Sequence, residues 1–296
     1  MRIPFLLAAS TFLAISLHAQ LPAITADPAA DKANPPSMDA FQIPSHDGKM
    51  NALFYFAAGA GPHHTVVLLH GFPGNEKNLD LAQAIRRAGW NVLYFDYRGS
   101  WGAPGSFSFS NAMEDTKVAI AYLRDPANAT RLRVDTKNIV LMGHSMGGMI
   151  SVIVGERDPQ LRGIGLISAA NMAGRTQSFP KLSTTEGQAA LQAYAGHLEE
   201  EGVYPLAGCT AQSLATELID SGAKWDIPGQ AAQMTAHTIL VVSSDDGLAP
   251  DTDKFVSIYR GSGGKHITTV HLATDHAYSG QRIALETAVL NWLATL

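Results

Sequence analysis

The sequence is short of cysteine and of charge. Cys209 is the single cysteine among 296 residues, so no disulfide can form within the chain. We expect this thiol to be buried and inert rather than free at the surface. Charged residues make up 16% of the chain, with a net charge of −5, and lysine and arginine are not clustered. Because binding to nucleic-acid phosphates requires clustered lysine and arginine, we expect no nucleic-acid partner.

Motifs for cofactors and metals are also missing. The chain has no phosphate-binding glycine loop and no dinucleotide fingerprint, so we expect no cofactor. Of its 11 histidines, His63, His64 and His70 lie close together along the chain. No cysteine or carboxylate stands at a metal-ligand spacing from them, and we therefore expect no metal site.

The N-terminal apolar run is too short for a comfortable membrane span. Arg2 is followed by an uncharged, mostly apolar run over residues 3–17, which ends at His18-Ala19. This pattern predicts a secretory signal peptide over residues 1–19 and a secreted or periplasmic protein, without an integral membrane span after cleavage. An uncleaved N-terminal anchor is the alternative. A lipoprotein anchor is not supported, because no cysteine follows the run.

The remaining chain has two parts. Residues 20–37 are rich in alanine, proline and aspartate and have no hydrophobic periodicity, which predicts a flexible segment. From residue 38 the pattern is that of an α/β domain, beginning with a hairpin of strands 39–43 and 51–56. Apolar runs then alternate with helical patterns, which predicts a mostly parallel sheet with right-handed crossovers. The further predicted strands are 65–70, 91–96, 138–142, 161–168, 238–243 and 266–272, and the predicted helices are 78–88, 112–124, 149–154, 252–259 and 280–293.

One segment interrupts this alternation. Residues 170–237 separate two predicted strands by far more chain than such connections usually need. Their pattern is rich in helix. We interpret the segment as a helical insertion that folds over the carboxyl edge of the sheet, where open α/β sheets bind ligands. A longer crossover without substrate contact is the alternative.

The most informative stretch is residues 136–154, TKNIVLMGHSMGGMISVIV. A buried-strand pattern runs directly into Gly143-His144-Ser145-Met146-Gly147, and a buried-helix pattern follows. In this strand–G-x-S-x-G–helix context the serine lies on a tight, strained turn that exposes its hydroxyl. The pattern predicts that Ser145 is a nucleophile. An incidental serine in a glycine-rich turn is the alternative.

Four motifs together resemble the α/β-hydrolase superfamily. They are GHSMG at 143–147, HGFPG at 70–74, DDGLAP at 245–250 and DHAYS at 275–279. The resemblance covers almost the whole chain after residue 38. It implies the α/β-hydrolase fold for residues 38–296, with a mostly parallel central sheet flanked by helices and a helical cap insertion at 170–237. DYRGSWGAPG at 96–105 and WDIPG at 225–229 are similar to bacterial hydrolases of the serine aminopeptidase and acyl-peptide-hydrolase-like groups.

The same resemblance implies a catalytic triad. His276 lies just past the last predicted strand, where the family's histidine loop sits, and would act as general base for Ser145. Asp245 and Asp246 compete for the role of the acid. The family's acid is followed by a short run that ends in proline, which favours Asp246 and leaves Asp245 to shape the loop. The acid would orient the imidazole and stabilise its charged form.

The oxyanion that forms during acyl transfer also needs donors fixed in advance. The resemblance implies two of them, the backbone N–H groups of Phe72, in HGFPG, and of Met146, which follows the nucleophile. The glycines of HGFPG are equally suited to an ordinary turn between a strand and a helix.

We therefore predict an exported serine hydrolase that cleaves a small-molecule ester, or a related acyl bond, through an acyl-Ser145 intermediate. A serine peptidase acting on short peptides is one alternative. It would need an anchor for a peptide amine, such as Glu199, Glu200 or Glu201, although these also suit a solvated helix face. A non-catalytic binding protein of the same fold is the alternative from another class. The sequence carries no signal for substrate-binding residues or for the oligomeric state.

Overall fold

The computed structural model describes residues 22–172, 174–221 and 224–296. The predicted signal peptide, residues 1–19, lies outside the described residues. The predicted flexible segment, as far as it is described, contains the one-turn helix α1, Pro22–Thr25. The carbonyl of Ala23 in this helix accepts a hydrogen bond from Arg87 Nε at 2.6 Å. This turn therefore packs against the folded domain.

Eight strands form one sheet in the order β1-β2-β4-β3-β5-β6-β7-β8. In chain order they are β1 Ser37–Ser45, β2 Gly48–Phe56, β3 His63–Leu69, β4 Asn91–Asp96, β5 Val134–His144, β6 Gly163–Ile167, β7 Ile239–Ser244 and β8 Ile267–Leu272. The hairpin β1–β2 is antiparallel and joins β4 in antiparallel fashion, whereas all other neighbours are parallel. The predicted mostly parallel sheet is confirmed.

Helices cover both faces of this sheet. After α1 they are α2 Leu79–Arg87, α3 Phe109–Arg124, α4 Pro126–Leu132, α5 Met146–Gly155, α6 Thr185–Glu201, α7 Ala211–Ser221, α8 Ile227–Gln230, α9 Ala249–Gly261 and α10 Arg282–Leu293. Along β3, Val66 and Leu68 pack in the core layer that α2 and α10 cover. Val67 and Leu69 pack in the layer with α3, α5 and α9. Burial on both faces explains why the central strands read as continuous apolar runs.

Several helices differ from the sequence prediction: α5 and α9 each begin three residues earlier than predicted, and α3 and α4 differ for reasons that the structure shows. Helix α4 was not predicted, although it has local signals: the Asp125 side chain accepts hydrogen bonds from the first backbone N–H groups, and Pro126 stands at the first helical position. Helix α3 begins at Phe109, three residues earlier than predicted. Its start is fixed from a distance, because Glu217 in α7 accepts hydrogen bonds at 2.8 Å from the N–H groups of Phe109 and Ser110. A carboxylate at a helix N-terminus is stabilising, and this one ties the segment between β6 and β7 to the domain.

That segment, between β6 and β7, is helical. Its described residues include α6, α7, α8 and the 3₁₀ turns Gly174–Thr176 and Ala231–Met234. Cys209 within it is half-buried, so the expectation of a buried thiol is only partly met. Burial, aided by the nearby charge of Glu217, raises the pKa of this thiol. Among the described residues, no helix combines the length and the apolar content needed to cross a membrane.

Candidate active site

Ser145 lies at the turn between β5, which ends at His144, and α5, which begins at Met146. Its backbone has φ 56° and ψ −120°, a conformation that side-chain-bearing residues seldom adopt. Such strain persists only where the surroundings impose it. Here the Ser145 N–H donates to the Ile167 carbonyl at 2.9 Å, and the Ser145 carbonyl accepts from the N–H groups of Gly148 and Ala170.

The two glycines of the motif are required by close approach. A Cβ on Gly143 would lie 2.1 Å from the carbonyl oxygen of Gly147, and a Cβ on Gly147 would lie 2.6 Å from that of Leu69. Real Cβ atoms do not approach backbone this closely. The turn can therefore form only with glycine two residues before and two residues after Ser145.

His276 and Asp246 form a hydrogen-bonded pair at the carboxyl edge of the sheet. Asp246 follows β7 and His276 follows β8, and Nδ1 of the imidazole lies 2.8 Å from Oδ2 of the carboxylate. Because a carboxylate only accepts, the Nδ1–H of His276 is the donor, and Nε2 is then the basic nitrogen. The Asp246 side chain is 4% exposed, and that of His276 is 42% exposed.

The environment of Asp246 keeps it ionised. Burial by itself would raise the pKa of this carboxyl. Hydrogen bonds from His276, from the N–H of Leu248 and from the hydroxyls of Ser168 and Ser244 outweigh burial and hold the pKa below its ordinary value. A fixed negative charge therefore faces the imidazole at neutral pH.

Asp245, the rival candidate for the acid, belongs to a second array. His271 Nε2 lies 3.0 Å from Asp245 Oδ1, and His271 Nδ1 lies 2.9 Å from Ser243 Oγ. The side chains of His271 and Asp245 are both more than half exposed. Ser243 lies within β7 and not on a strained turn. The structure thus pairs Asp246, not Asp245, with His276, and it supplies a matched control array beside the candidate site.

His144 packs against His276 and bonds its backbone. It is 2% exposed, its ring centroid lies 4.5 Å from that of His276, and its Nε2–H donates to the His276 carbonyl at 2.9 Å. Burial, followed by the repulsion of a charged His276, lowers the pKa of His144 to about 3. His144 is therefore a neutral support for the loop that carries His276.

This burial predicts a pH-dependent stability. Unfolded His144 protonates near its ordinary pKa of about 6.5, whereas the folded side chain stays neutral until about pH 3. The unfolded chain binds more protons between these values, so the free energy of unfolding must fall as the pH falls through this window. We expect the burial of His144 to lower the free energy of unfolding by about 1 kcal/mol for each pH unit below about pH 6.

Denaturant unfolding at a series of pH values checks this expectation. A His144→Gln variant is expected to be less stable at neutral pH but to lose less stability than wild type between about pH 6 and pH 4. Parallel curves for the two proteins would contradict the burial of a neutral His144.

Ser145 and His276 line the same two cavities. The larger one, about 370 Å³, is also lined by Ala170, Met172, Glu201, Asp246 and Leu248. The smaller one, about 230 Å³, is also lined by Gly71, Gly74, Glu76, His144 and Ala277. Phe72, Pro73 and Asn75 border both. Ser145 and His276 are thus among the five residues that line both cavities.

The two candidate oxyanion donors stand beside Ser145. A Cβ on Gly71 would lie 2.8 Å from Cβ of Ser145, which shows how closely the loop that carries Phe72 approaches the serine. Met146 begins α5, so its N–H has no partner within the helix. Among the described residues, the N–H groups of Phe72 and Met146 donate to no other backbone group. They are available to an oxygen bound in the cavity.

The three histidines considered for a metal are spread along β3. His63 and His64 lie at its beginning, and His70 follows its end, about 20 Å away at the rise of an extended strand. In the ranges that the structure describes, no group of three or more histidine, cysteine, aspartate or glutamate side chains is arranged to hold a metal ion.

Sequence analysis missed several residues of the cavity walls. Asn75 directly follows HGFPG, and its position next to that motif was a usable signal. Ala170 and Met172 follow β6 at the carboxyl edge, where the topology alone would have pointed to them. Glu201 was considered only as one of three acids, and the structure singles it out because it is at the end of α6 and borders the cavity.

Comparisons with known proteins bear on the family and on the fold. A sequence model of the family described as "Serine aminopeptidase, S33" matches residues 60–203, just under half of the chain. The uncharacterized protein YfhR of Escherichia coli O157:H7 is 28% identical over 131 residues, which are 42% of this chain and 44% of that protein. The uncharacterized protein Rv2307c of Mycobacterium tuberculosis H37Rv is 30% identical over 129 residues, 42% and 43% of the two chains. The match therefore spans less than half the length of these curated relatives.

Solved structures extend the similarity to the whole domain. The carboxylesterase EstE1 from a metagenomic library aligns with a TM-score of 0.63 and 20% identity, over 89% of this chain and 90% of that one. The hyperthermophilic esterase of Pyrobaculum calidifontis aligns with a TM-score of 0.63 and 18% identity, over 89% and 87%. The esterase Pf2001 of Pyrococcus furiosus aligns with a TM-score of 0.60 and 14% identity, over 88% and 91%. At these identities the likeness is one of fold.

Proposed function

We propose that this chain is an α/β-hydrolase, and that it is an exported serine hydrolase that cleaves a carboxylic ester, or a related acyl bond, through an acyl-Ser145 intermediate. The partial match to the serine aminopeptidase family and the shared fold of solved esterases support the first part. The export part of this proposal rests on the sequence of residues 1–19. The catalytic part rests on the site described above.

One observation carries the catalytic proposal. A serine held at φ 56° shares its cavity with an imidazole whose Nδ1–H is bound, at 2.8 Å, to a buried carboxylate. This bond leaves Nε2 of His276 as the base that a serine nucleophile requires. A structural ion pair would not need a cavity, a strained serine and free backbone donors at the same place.

The proposed reaction has two halves. His276 Nε2 takes the proton of Ser145 Oγ while Oγ attacks the carbonyl carbon, and the resulting oxyanion accepts hydrogen bonds from the N–H groups of Phe72 and Met146. The imidazolium then gives its proton to the leaving alcohol as the ester bond breaks. In the second half His276 deprotonates a water that attacks the acyl carbon. The proton returns to Ser145 as the acid is released.

The cavities favour a small substrate. Volumes of about 370 and 230 Å³ lie at or below the lower end of those of common ligand pockets. We therefore expect acetate and butyrate esters of p-nitrophenol to be turned over faster than the laurate ester. The test measures turnover across this series before and after treatment with a serine-reactive phosphonate. Absence of turnover on every ester and no reaction with the phosphonate would favour the non-catalytic binding protein.

A peptidase acting on short peptides is the second candidate, and Glu201 favours it. This residue ends α6 and borders the larger cavity next to Ser145. Its Oε1 lies 3.0 Å from His197 Nε2, and its side chain is 36% exposed. A carboxylate that borders the cavity of Ser145 would bind the free amine of a peptide or of an aminoacyl ester, a group that a simple ester lacks.

A matched pair of variants separates the two candidates. We expect Glu201→Gln to raise KM for an aminoacyl p-nitroanilide about tenfold, the size expected for a hydrogen bond to a charged group. Turnover of p-nitrophenyl acetate should be unchanged. Glu200→Gln, which alters a neighbouring acid outside the cavity lining, is the control. Equal effects of Glu201→Gln on both substrates would argue against an amine anchor. If wild type does not turn over the anilide, the peptidase candidate is excluded and the esterase candidate stands.

A further inference from the structure

The glycine-rich loop at residues 96–105 has no part in the reaction outlined above, yet it holds a strained tryptophan. Trp101 has φ 49°, a left-handed conformation that is rare for a bulky residue. Its backbone N–H donates to the carbonyl of Pro205, between α6 and α7, at 2.8 Å. A β-bridge joins the next pair, Ser100 and Leu206, and the N–H of Ala207 donates to the Gly99 carbonyl at 2.7 Å. The segment between β6 and β7 thus holds Trp101 in its unusual conformation.

The side chain of Trp101 reaches the loop that carries the oxyanion donor. Its Nε1–H donates to the carbonyl of Pro73 at 2.8 Å. The ammonium of Lys77 lies 4.5 Å above the indole ring and also bonds Asp96 at 2.9 Å. The indole is therefore fixed by a cation on its face and by a hydrogen bond at its edge.

Two more side chains bind neighbouring carbonyls of the same loop. Tyr97 Oη donates to the His70 carbonyl at 3.2 Å, and His70 Nδ1–H donates to the Gly71 carbonyl at 2.8 Å. The Gly71 carbonyl and the Phe72 N–H belong to one peptide unit. Because that unit is planar and trans, holding its carbonyl on one side directs its N–H to the opposite side.

His70 is suited to hold the Gly71 carbonyl in place. It is 1% exposed, and burial lowers its pKa to about 4, so the imidazole is neutral and carries one N–H. That proton lies on Nδ1, since Nδ1 faces a carbonyl oxygen. Nε2 has no hydrogen-bond partner among the described residues. Asp96 Oδ1 lies 4.0 Å from Nε2, beyond hydrogen-bond distance, so the one hydrogen bond of the ring, to the Gly71 carbonyl, sets the tautomer.

Gly74 couples the two rings mechanically. Its φ is 102°, and a Cβ at this position would lie 2.4 Å from His70 Nδ1 and 2.8 Å from Trp101 Nε1. Both rings therefore lie against the side of residue 74 that a Cβ would occupy. Since the indole also bonds the Pro73 carbonyl, we expect a shift of the indole to displace the Pro73–Gly74 peptide next to the imidazole.

We propose that Trp101 is a positioning residue that holds the Phe72 N–H in place for the oxyanion, and that it links this donor to the segment between β6 and β7. The role deepens the proposed function and rests on it. Trp101 does not line either cavity at Ser145, so it acts on the oxyanion loop and not on the substrate.

The test compares Trp101→Phe with Trp90→Phe, a matched change at a tryptophan that packs against His64. Phenylalanine keeps an aromatic face for Lys77 but removes the N–H donor. We expect kcat for the preferred p-nitrophenyl ester to fall about tenfold or more, as for a small misplacement of a catalytic group, with KM changed less than about twofold. Inhibition by a boronic acid, which forms a tetrahedral adduct, should weaken by the same factor as kcat/KM. Trp90→Phe should change none of these quantities.

The outcomes separate this role from the proposed function. An unchanged kcat in Trp101→Phe, or a rise in KM alone, would overturn the positioning role while wild-type activity stood. If Trp101→Phe does not fold, 3-benzothienylalanine at position 101 keeps the ring's shape, lacks the N–H and decides the question by the same readouts. Wild-type turnover that is absent, or that persists in Ser145→Ala, would overturn the proposed function and this role with it.

Discussion

Replacing Ser145 with alanine is expected to lower kcat for ester hydrolysis by at least about 10⁴-fold, because the triad acts as a unit and no other group can form the acyl-enzyme. The fold should survive, since neither the backbone turn nor the His276–Asp246 pair depends on the hydroxyl. The measurement is kcat on the preferred p-nitrophenyl ester, with the thermal midpoint of each protein recorded alongside. Ser243→Ala is the control, because Ser243 bonds a histidine that contacts an aspartate but does not lie on a strained turn.

A glycine at the same position separates catalysis from strain. Ser145→Gly should lose as much activity as Ser145→Ala but be the more stable of the two. Alanine keeps the strain of φ 56°, worth about 1–3 kcal/mol, whereas glycine does not. The greater freedom of glycine in the unfolded chain offsets only about 0.4–1 kcal/mol of this. Substantial activity in either variant, or full loss in Ser243→Ala, would contradict Ser145 as the nucleophile.

Replacing Asp246 with asparagine is expected to lower kcat on the order of 10⁴-fold, as the loss of this charge does in serine-protease triads. Asparagine can present an N–H to Nδ1 of His276. The imidazole then carries its proton on Nε2 and can no longer take one from Ser145. The neutral amide also fails to stabilise the imidazolium that forms in each half of the reaction.

Asp245→Asn supplies the comparison for this prediction. Asp245 precedes Asp246 in the chain, but its side chain is 61% exposed and contacts His271. We expect its replacement to change kcat less than about twofold, since exposed ion pairs contribute little. Steady-state kinetics on both variants suffices. A large loss in Asp245→Asn with a small one in Asp246→Asn would reverse the assignment of the acid.

Much of the fold follows from local pattern. The strands are buried on both faces, so their apolar runs stand out, and the mostly parallel sheet was predicted correctly. The sharp turn at Ser145 could also be predicted from the sequence, because its glycines are required by backbone contacts within a few residues and with neighbouring strands. The choice of Asp246 over Asp245 depended on a proline at 250 as implied by the resemblance, and in the structure Asp246 is the residue that pairs with His276.

What sequence analysis missed depends on contacts between distant residues. The true start of α3 is fixed by Glu217, 107 and 108 residues away in the chain, and no local pattern at Phe109 reveals it. The loop that carries Phe72 is held by hydrogen bonds to backbone carbonyls. His70 bonds the Gly71 carbonyl, and Trp101 bonds the carbonyls of Pro73 and Pro205. Carbonyls are present in every residue and carry no sequence signal. Glu201 also could not be distinguished by sequence from the two acidic residues before it. Only the position and orientation of α6 show that Glu201 is the one that borders the cavity.

The proposed reaction requires Ser145 to act as a nucleophile and to become acylated. The most direct measurement is intact mass spectrometry of the protein after reaction with a fluorophosphonate, followed by peptide mapping of the modified residue. We predict one adduct per chain, on Ser145, absent in Ser145→Ala and greatly slowed in Asp246→Asn. An unmodified protein, or an adduct on Ser243, would contradict the claim.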